Sequence, residues 1–180
     1  TSEKNILKLI KPLFLDELQA EFKKAKSNKN KLKEFHQKLG NLKFLDPACG
    51  CGNFLIITYR ELRLLELEVL KELYGTQQVI GIDQIMNVDV DQFYGIEYDE
   101  FPARIAEVAL WLMDHQMNLR ISEVFGIYYA RLPLKKSATI VHGDALEIEW
   151  NDIVTSDKLS FIIGNPPFVG SNIMNKNQRA

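Results

Sequence analysis

Two short stretches carry residue types whose spacing could do chemistry. The first, Asp46-Pro47-Ala48-Cys49-Gly50-Cys51-Gly52-Asn53, sets a carboxylate ahead of a loop with two glycines. Those glycines allow positive φ and let a ligand approach the backbone closely. The loop runs into a helical pattern, and free amides at a helix start favour a polar or negative group. Gly50-Cys51-Gly52 is shorter than the Gly-x-Gly-x-x-Gly of dinucleotide binders, and position 55 is Leu, so no pyrophosphate cradle is indicated. A carboxylate at Asp46 suits a cationic or amino-bearing ligand better. The second stretch is Asn165-Pro166-Pro167-Phe168. Its two prolines fix the chain, holding the Asn165 side-chain oxygen beside the Pro166 carbonyl. Such a pair can accept both hydrogens of one amino group. Phe168 offers a face on which a planar ring can stack.

Two further acids fall in similar places. Glu97, in Gly95-Ile96-Glu97, could accept hydrogen bonds from both hydroxyls of a ribose. Gly81-Ile82-Asp83 competes for that role. Glu97 is preferred because a helix with Pro102 near its start and a clear apolar face follows it, whereas Asp83 leads into a stretch with no helical pattern. Asp144, in Gly143-Asp144-Ala145-Leu146, could accept a bond from the exocyclic amine of an adenine. Each stretch also has a bland reading: a tight turn, a solvated acid at a helix start, an ordinary Asp turn. Their common position argues against it, because all four follow an expected strand.

The elements that must position these residues follow from periodicity. Ile6, Leu9, Ile10, Leu13, Phe14, Leu18 and Phe22 form one helical stripe. Pro12 interrupts it, which predicts a kink or a break with the second piece restarting there. Leu32, Phe35 and Leu39 mark a second helix, ended by Gly40 and Asn41. A strand over 42–46 leads through the glycine turn to a long helix over about 53–73. Residues 75–91 read as an irregular or hairpin insertion. Further strands are expected over 92–97, 138–142 and 159–164, with a helix from Pro102 to about Asn118. Strands alternating with helices imply a parallel sheet, with ligands bound beyond the carboxyl ends of its strands.

Composition narrows the class. The 180 residues are 46% hydrophobic and 26% charged, as in folded globular chains. No stretch approaches the roughly 18 apolar residues of a membrane-spanning helix, and no signal core follows the N-terminus. A cytoplasmic protein is expected, without a membrane partner. Cys49 and Cys51 are too close for an ordinary disulfide and too few for a zinc site, so no metal is expected. The net charge of −2 excludes a globally basic nucleic-acid binder. Residues 1–43 nevertheless hold 11 Lys against 5 acids, and the 23–31 lysine run reads as a solvated loop between helices. The chain reads as a piece of something longer.

In this order, Asp-Pro-x-x-Gly-x-Gly and Asn-Pro-Pro-Phe resemble the motifs of gamma-type N6-adenine DNA methyltransferases. The stretches 44–53, 91–118 and 162–168 look closest to MmeI-like (type IIL) and type IIG single-chain restriction–modification proteins. The resemblance covers roughly residues 5–170. It implies an α/β class I S-adenosylmethionine-dependent methyltransferase, a Rossmann-like parallel sheet with helices on both faces and N-terminal helices, here truncated. Residues 1–41 would be the helical segment and 42–180 the cofactor-binding part of the domain, ending just after Asn-Pro-Pro-Phe. Asp46, Ala48, Gly50 and Gly52 would surround the methionine part of S-adenosylmethionine, with Pro47 and Asn53 in the same loop. Glu97 would hold the ribose, and Asp144 and Ala145 would flank the cofactor's adenine. Asn165, Pro166, Pro167 and Phe168 would form the catalytic amino-group site for a flipped adenine. Double-stranded DNA would be the partner, through a recognition domain not present here.

The sequence also departs from that pattern. Such a fold needs about seven strands and only four are expected, residues 75–91 lengthen the path from Gly52 to Glu97, and the aromatic-Thr-Pro motif often found near the N-terminus is absent. There is no Pro-Asp…Glu-x-Lys nuclease motif. Rival readings are a methyltransferase acting on RNA or on a protein glutamine, a cofactor-binding piece without activity of its own, and a nicotinamide-dependent oxidoreductase. The glycine spacing and Asn-Pro-Pro-Phe count against the last.

Overall fold

The computed structural model describes residues 2–75, 82–126 and 137–166. Pro167, Phe168 and Gly81 lie outside them. Helix α1 (Glu3–Ile10) passes through one turn of π-helix (Lys11–Leu15) into α2 (Asp16–Ala25). Of the kink or break expected at Pro12, the structure shows an interruption of the α-helical ladder without a break in the chain's course: the backbone stays right-handed helical on both sides of the wider turn. Pro12 stands at the start of that turn, where the regular ladder of bonds is already interrupted, so its missing N–H is tolerated. Helix α3 (Lys29–Asn41) is capped by Asn28, whose side chain accepts from the amides of Asn30 and Lys31.

Strand β1 (Phe44–Asp46), helix α4 (Asn53–Tyr74), strand β2 (Phe93–Glu97), helix α6 (Glu100–Phe125), strand β3 (Thr139–His142) and strand β4 (Phe161–Ile162) build the rest. Short helices α5 (Ile82–Ile85) and α7 (Trp150–Ile153) intervene, and a 3-10 turn (Val90–Gln92) leads into β2. The described part of 75–91 thus contains no hairpin, and Asp83 lies on a helix rather than at a strand end. Helix α6 runs seven residues past its expected end at Asn118, to a left-handed cap at Gly126. Strand β4 is shorter than the expected 159–164, because Ser160 and Phe161 both donate to the Lys43 carbonyl and regular pairing starts only there.

The strands are parallel and ordered β3-β2-β1-β4. Their register has a visible cause. Phe44 is paired with Phe93 on one side and Phe161 on the other. The rings stack across the strands, with centroids 5.2 and 5.4 Å apart and interplanar angles of 9° and 18°. Phe14 from the π turn packs on Phe44 and Phe161, and Tyr59 meets Phe93 edge-on. A slip of one residue would turn every ring in this ladder to the opposite face. The ladder therefore sets which residues come level at the carboxyl ends.

Helices stand on both faces, unequally. The N-terminal helices, α4 and α6 cover the Phe44–Phe93 face in one continuous apolar cluster. Leu45, Tyr94 and Ile96 point the other way, against α7 and the 145–159 segment. Strand order reverses at β1, whose neighbours β2 and β4 are reached by crossovers on opposite faces. In open α/β sheets such a reversal is the point where ligands bind, beyond the carboxyl end of the strand, here β1.

Within the helical layer lies a buried polar network. Arg63 of α4 is fully buried and donates to Tyr59 Oη (2.8 Å), Asp114 Oδ1 (3.2 Å) and Asn118 Oδ1 (2.7 Å). Glu66, also fully buried, accepts from the amides of Asn87 (2.6 Å) and Val88 (2.9 Å) and pairs with His36 Nε2 at 2.9 Å. Gln92 donates to the carbonyls of Leu39 and Leu42. These bonds tie α3, α4 and α6 to the segment that enters β2.

Candidate active site

Asp46 ends β1 and is only 1% exposed. Its Oδ1 accepts from the Ala48 amide at 3.0 Å, which folds the chain back after Pro47. Burial pushes its carboxyl up to about 7; the Ala48 bond opposes this and the charge of Glu97 adds to it. The loop then descends onto β2, where the Cys49 amide donates to the Ile96 carbonyl at 3.0 Å. Cys49 fills a hollow made by Gly95: a methyl group on Gly95 would lie 2.9 Å from Cys49 Sγ. Burial, with the charges of Asp46 and Glu97, pushes the Cys49 thiol up to about 12, so it packs as a neutral group. Both cysteines are free, and Cys51 is exposed.

Gly50 and Gly52 have φ of 55° and 80°, the left-handed region that side chains avoid. A methyl group on Gly50 would meet nothing within 4 Å, whereas at Gly52 it would stand 3.0 Å from Ala106 Cβ. Gly50 therefore faces open space, and Gly52 lets α6 approach the start of α4 at Asn53. The Gly50 amide donates to Glu97 Oε2 at 2.7 Å, and the Asp99 amide to Glu97 Oε1 at 3.1 Å. The Glu97 carboxylate thus joins the end of β2 to the glycine loop of β1.

Beyond β3, the Gly143 amide donates to the Glu97 carbonyl at 2.9 Å. Asp144 Oδ1 accepts from the Leu146 amide at 2.9 Å, making a local turn, and the Ala145 carbonyl accepts from Trp150 Nε1 at 2.7 Å. On the other side of β1, the Ile163 amide donates to the Leu45 carbonyl, and Gly164 lies against the Asp46 carboxylate. Asn165 and Pro166 follow, exposed.

The structure thus sets the described residues of all four stretches at the carboxyl ends of one parallel sheet. Gly50 and Glu97 are directly linked, Asp46 holds the same loop through the Ala48 amide, and Asp144 stands one strand further out. Sequence reasoning overlooked Gly95, Cys49 and Gly164 as parts of this arrangement. A glycine inside a strand pattern is a signal of close backbone approach, and Gly95 carried it. Among the described residues no cluster of His, Cys, Asp or Glu could hold a metal ion.

A parallel α/β sheet that reverses its strand order at β1, with a carboxylate and a glycine loop beyond that strand, is the core of a methyltransferase fold. The chain belongs to a particular family with that fold: the family model described as MmeI, DNA-methyltransferase domain, matches residues 22–180. It is 40% identical to DNA methyltransferase A of Bacillus subtilis (strain 168), over 100% of this chain and 21% of that protein. It is also similar to a solved structure of the type IIL restriction-modification enzyme MmeI in complex with DNA. There the TM-score is 0.94 and the identity 62%, over 99% of this chain and 24% of that one. The chain spans between a fifth and a quarter of the length of these relatives.

Proposed function

We propose that this chain carries the site that transfers a methyl group from S-adenosylmethionine to the N6 amino group of adenine in DNA, within a restriction–modification enzyme. The observation that carries the reading is the juxtaposition of Asp46 and Gly164-Asn165-Pro166 at the ends of neighbouring parallel strands. A group for an amino-bearing cofactor and a group for a substrate amine then share one crevice.

The residues fit the cofactor. Asp46 offers a buried carboxylate to an ammonium group, Gly50 leaves open space before a positive-φ backbone, and Glu97 presents an acceptor at the end of β2. Asp144 and Ala145 would bound the adenine of the cofactor. Bound there, S-adenosylmethionine supplies an electrophilic methyl group on a sulfonium. Asn165 Oδ1 and the Pro166 carbonyl accept the two hydrogens of the target amine and aim its lone pair, so their contribution is positioning. By the resemblance, Pro167 would belong to the same site and Phe168 would supply a face for the flipped base. DNA of a restriction–modification system is met in the cytoplasm, where we place the protein.

The test is a tritiated-methyl assay with the full-length protein that contains these residues. Label should enter N6-methyladenine in duplex DNA, and not RNA or a glutamine peptide. Label in either of the latter, with none in DNA, would replace this reading with one of its rivals.

A further inference from the structure

Gly164 has no side chain to offer either ligand, yet its place is closely constrained. A methyl group on Gly164 would lie 2.5 Å from Asp46 Oδ1, 3.1 Å from its Cγ and 3.5 Å from Oδ2. The first distance is far inside van der Waals contact. The carboxylate is not a loose end that could swing away. It is 1% exposed, and its Oδ1 is held by the Ala48 amide. The backbone at 164 is equally constrained, because the preceding residue is bonded to Leu45 of β1. The next residue is Asn165.

We propose that Gly164 is a positioning residue: by leaving the Asp46 carboxylate its space, it sets the separation between the glycine loop and the Asn165-Pro166 turn. The inference rests on the function proposed above. Any side chain at 164 must displace either the carboxylate from Ala48 or the turn from β1. Either movement alters the distance between the two halves of the crevice, and group transfer is sensitive to small misplacements of its reactants.

The contact can be tested by a cycle of Gly164→Ala, Asp46→Ala and the pair, in the full-length protein. Gly164→Ala should lower kcat at saturating cofactor at least tenfold, with KM for the duplex within about twofold. It should also lower the melting temperature, and that penalty should vanish in the Asp46→Ala background, where the obstructing oxygens are gone. A wild-type kcat in Gly164→Ala would overturn the proposal. So would an undiminished melting penalty in the pair, which would place the strain in the backbone at 164 itself. A wild-type protein that methylates no substrate would instead overturn the function assigned above, and the melting cycle alone would then decide the Asp46–Gly164 contact.

Discussion

Gly50 and Glu97 are 47 residues apart, yet the Gly50 amide donates to Glu97 Oε2 at 2.7 Å. The acidic end of β2 therefore braces the glycine loop that follows β1. Two strand ends behave as one unit, and a change at either should be felt at both.

Replacing Glu97 by Ala removes this brace together with the expected acceptor for the ribose. Hydrogen bonds to a charged acceptor contribute about 1.5–3 kcal/mol each, so cofactor affinity should fall by at least tenfold in calorimetry. Asp83→Ala should leave affinity within about twofold, because Asp83 lies on α5. The reverse ranking of the two variants would move the ribose site to the 81–83 segment.

Asn165→Ala should leave cofactor binding nearly intact and abolish methyl transfer. In the function proposed above Asn165 addresses the target amine, and the residues assigned to the cofactor lie at the ends of β1, β2 and β3. Single-turnover assays and calorimetry separate the two effects. Turnover above a tenth of wild type, about 1.4 kcal/mol of barrier, would refute the role given to Asn165.

Asp46 makes stability depend on pH in a defined direction. Its folded value of about 7 lies above the ordinary 3.8, mainly through burial. The native state then holds a proton that the unfolded state has lost, so stability falls as pH rises from about 4 through about 7 and levels off above. Asp46→Asn removes this term. At about 1.4 kcal/mol per pH unit, the variant should gain up to about 2 kcal/mol over wild type at pH 5 and up to about 4 at pH 8. Denaturant titrations at both values check it, and a pH-independent difference would mean that Asp46 is not the titrating group.

Arg63 forms its pairs entirely inside the helical layer. Truncating one member of a buried ion pair leaves the other charge uncompensated, at about 3–5 kcal/mol. Arg63→Leu should therefore destabilise the protein by that amount, with Asp114 left without its guanidinium and Glu66 keeping only its bonds to His36 and the amides of Asn87 and Val88. Equilibrium unfolding measures it, and a loss below about 1 kcal/mol would show that the network relaxes or takes in water.

The sequence alone determined the local parts of this protein. Helical spacing marked α2, α3 and α4 to within a few residues, because an amphipathic period of 3.6 is written along the chain. The Asp46–Asn53 loop and Asn165-Pro166 were legible because glycine and proline constrain their own backbone whatever surrounds them. Glu97 could be chosen over Asp83 because a helix follows it.

The tertiary structure decided what depends on meetings between distant residues. Arg63 and Glu66 are charged residues on α4, and only partners arriving from α3, α6 and residues 87–88 allow them to be buried. Pro12 looks like a break, and the packing of Phe14 on Phe44 and Phe161 accompanies a turn of π-helix instead. The space that Gly95 leaves for Cys49, and Gly164 for Asp46, appears only once strands offset from β1 by 49 and 117 residues are laid beside it in register. Burial of a charge and the exclusion of a methyl group are properties of a neighbourhood, and the chain creates that neighbourhood only by folding.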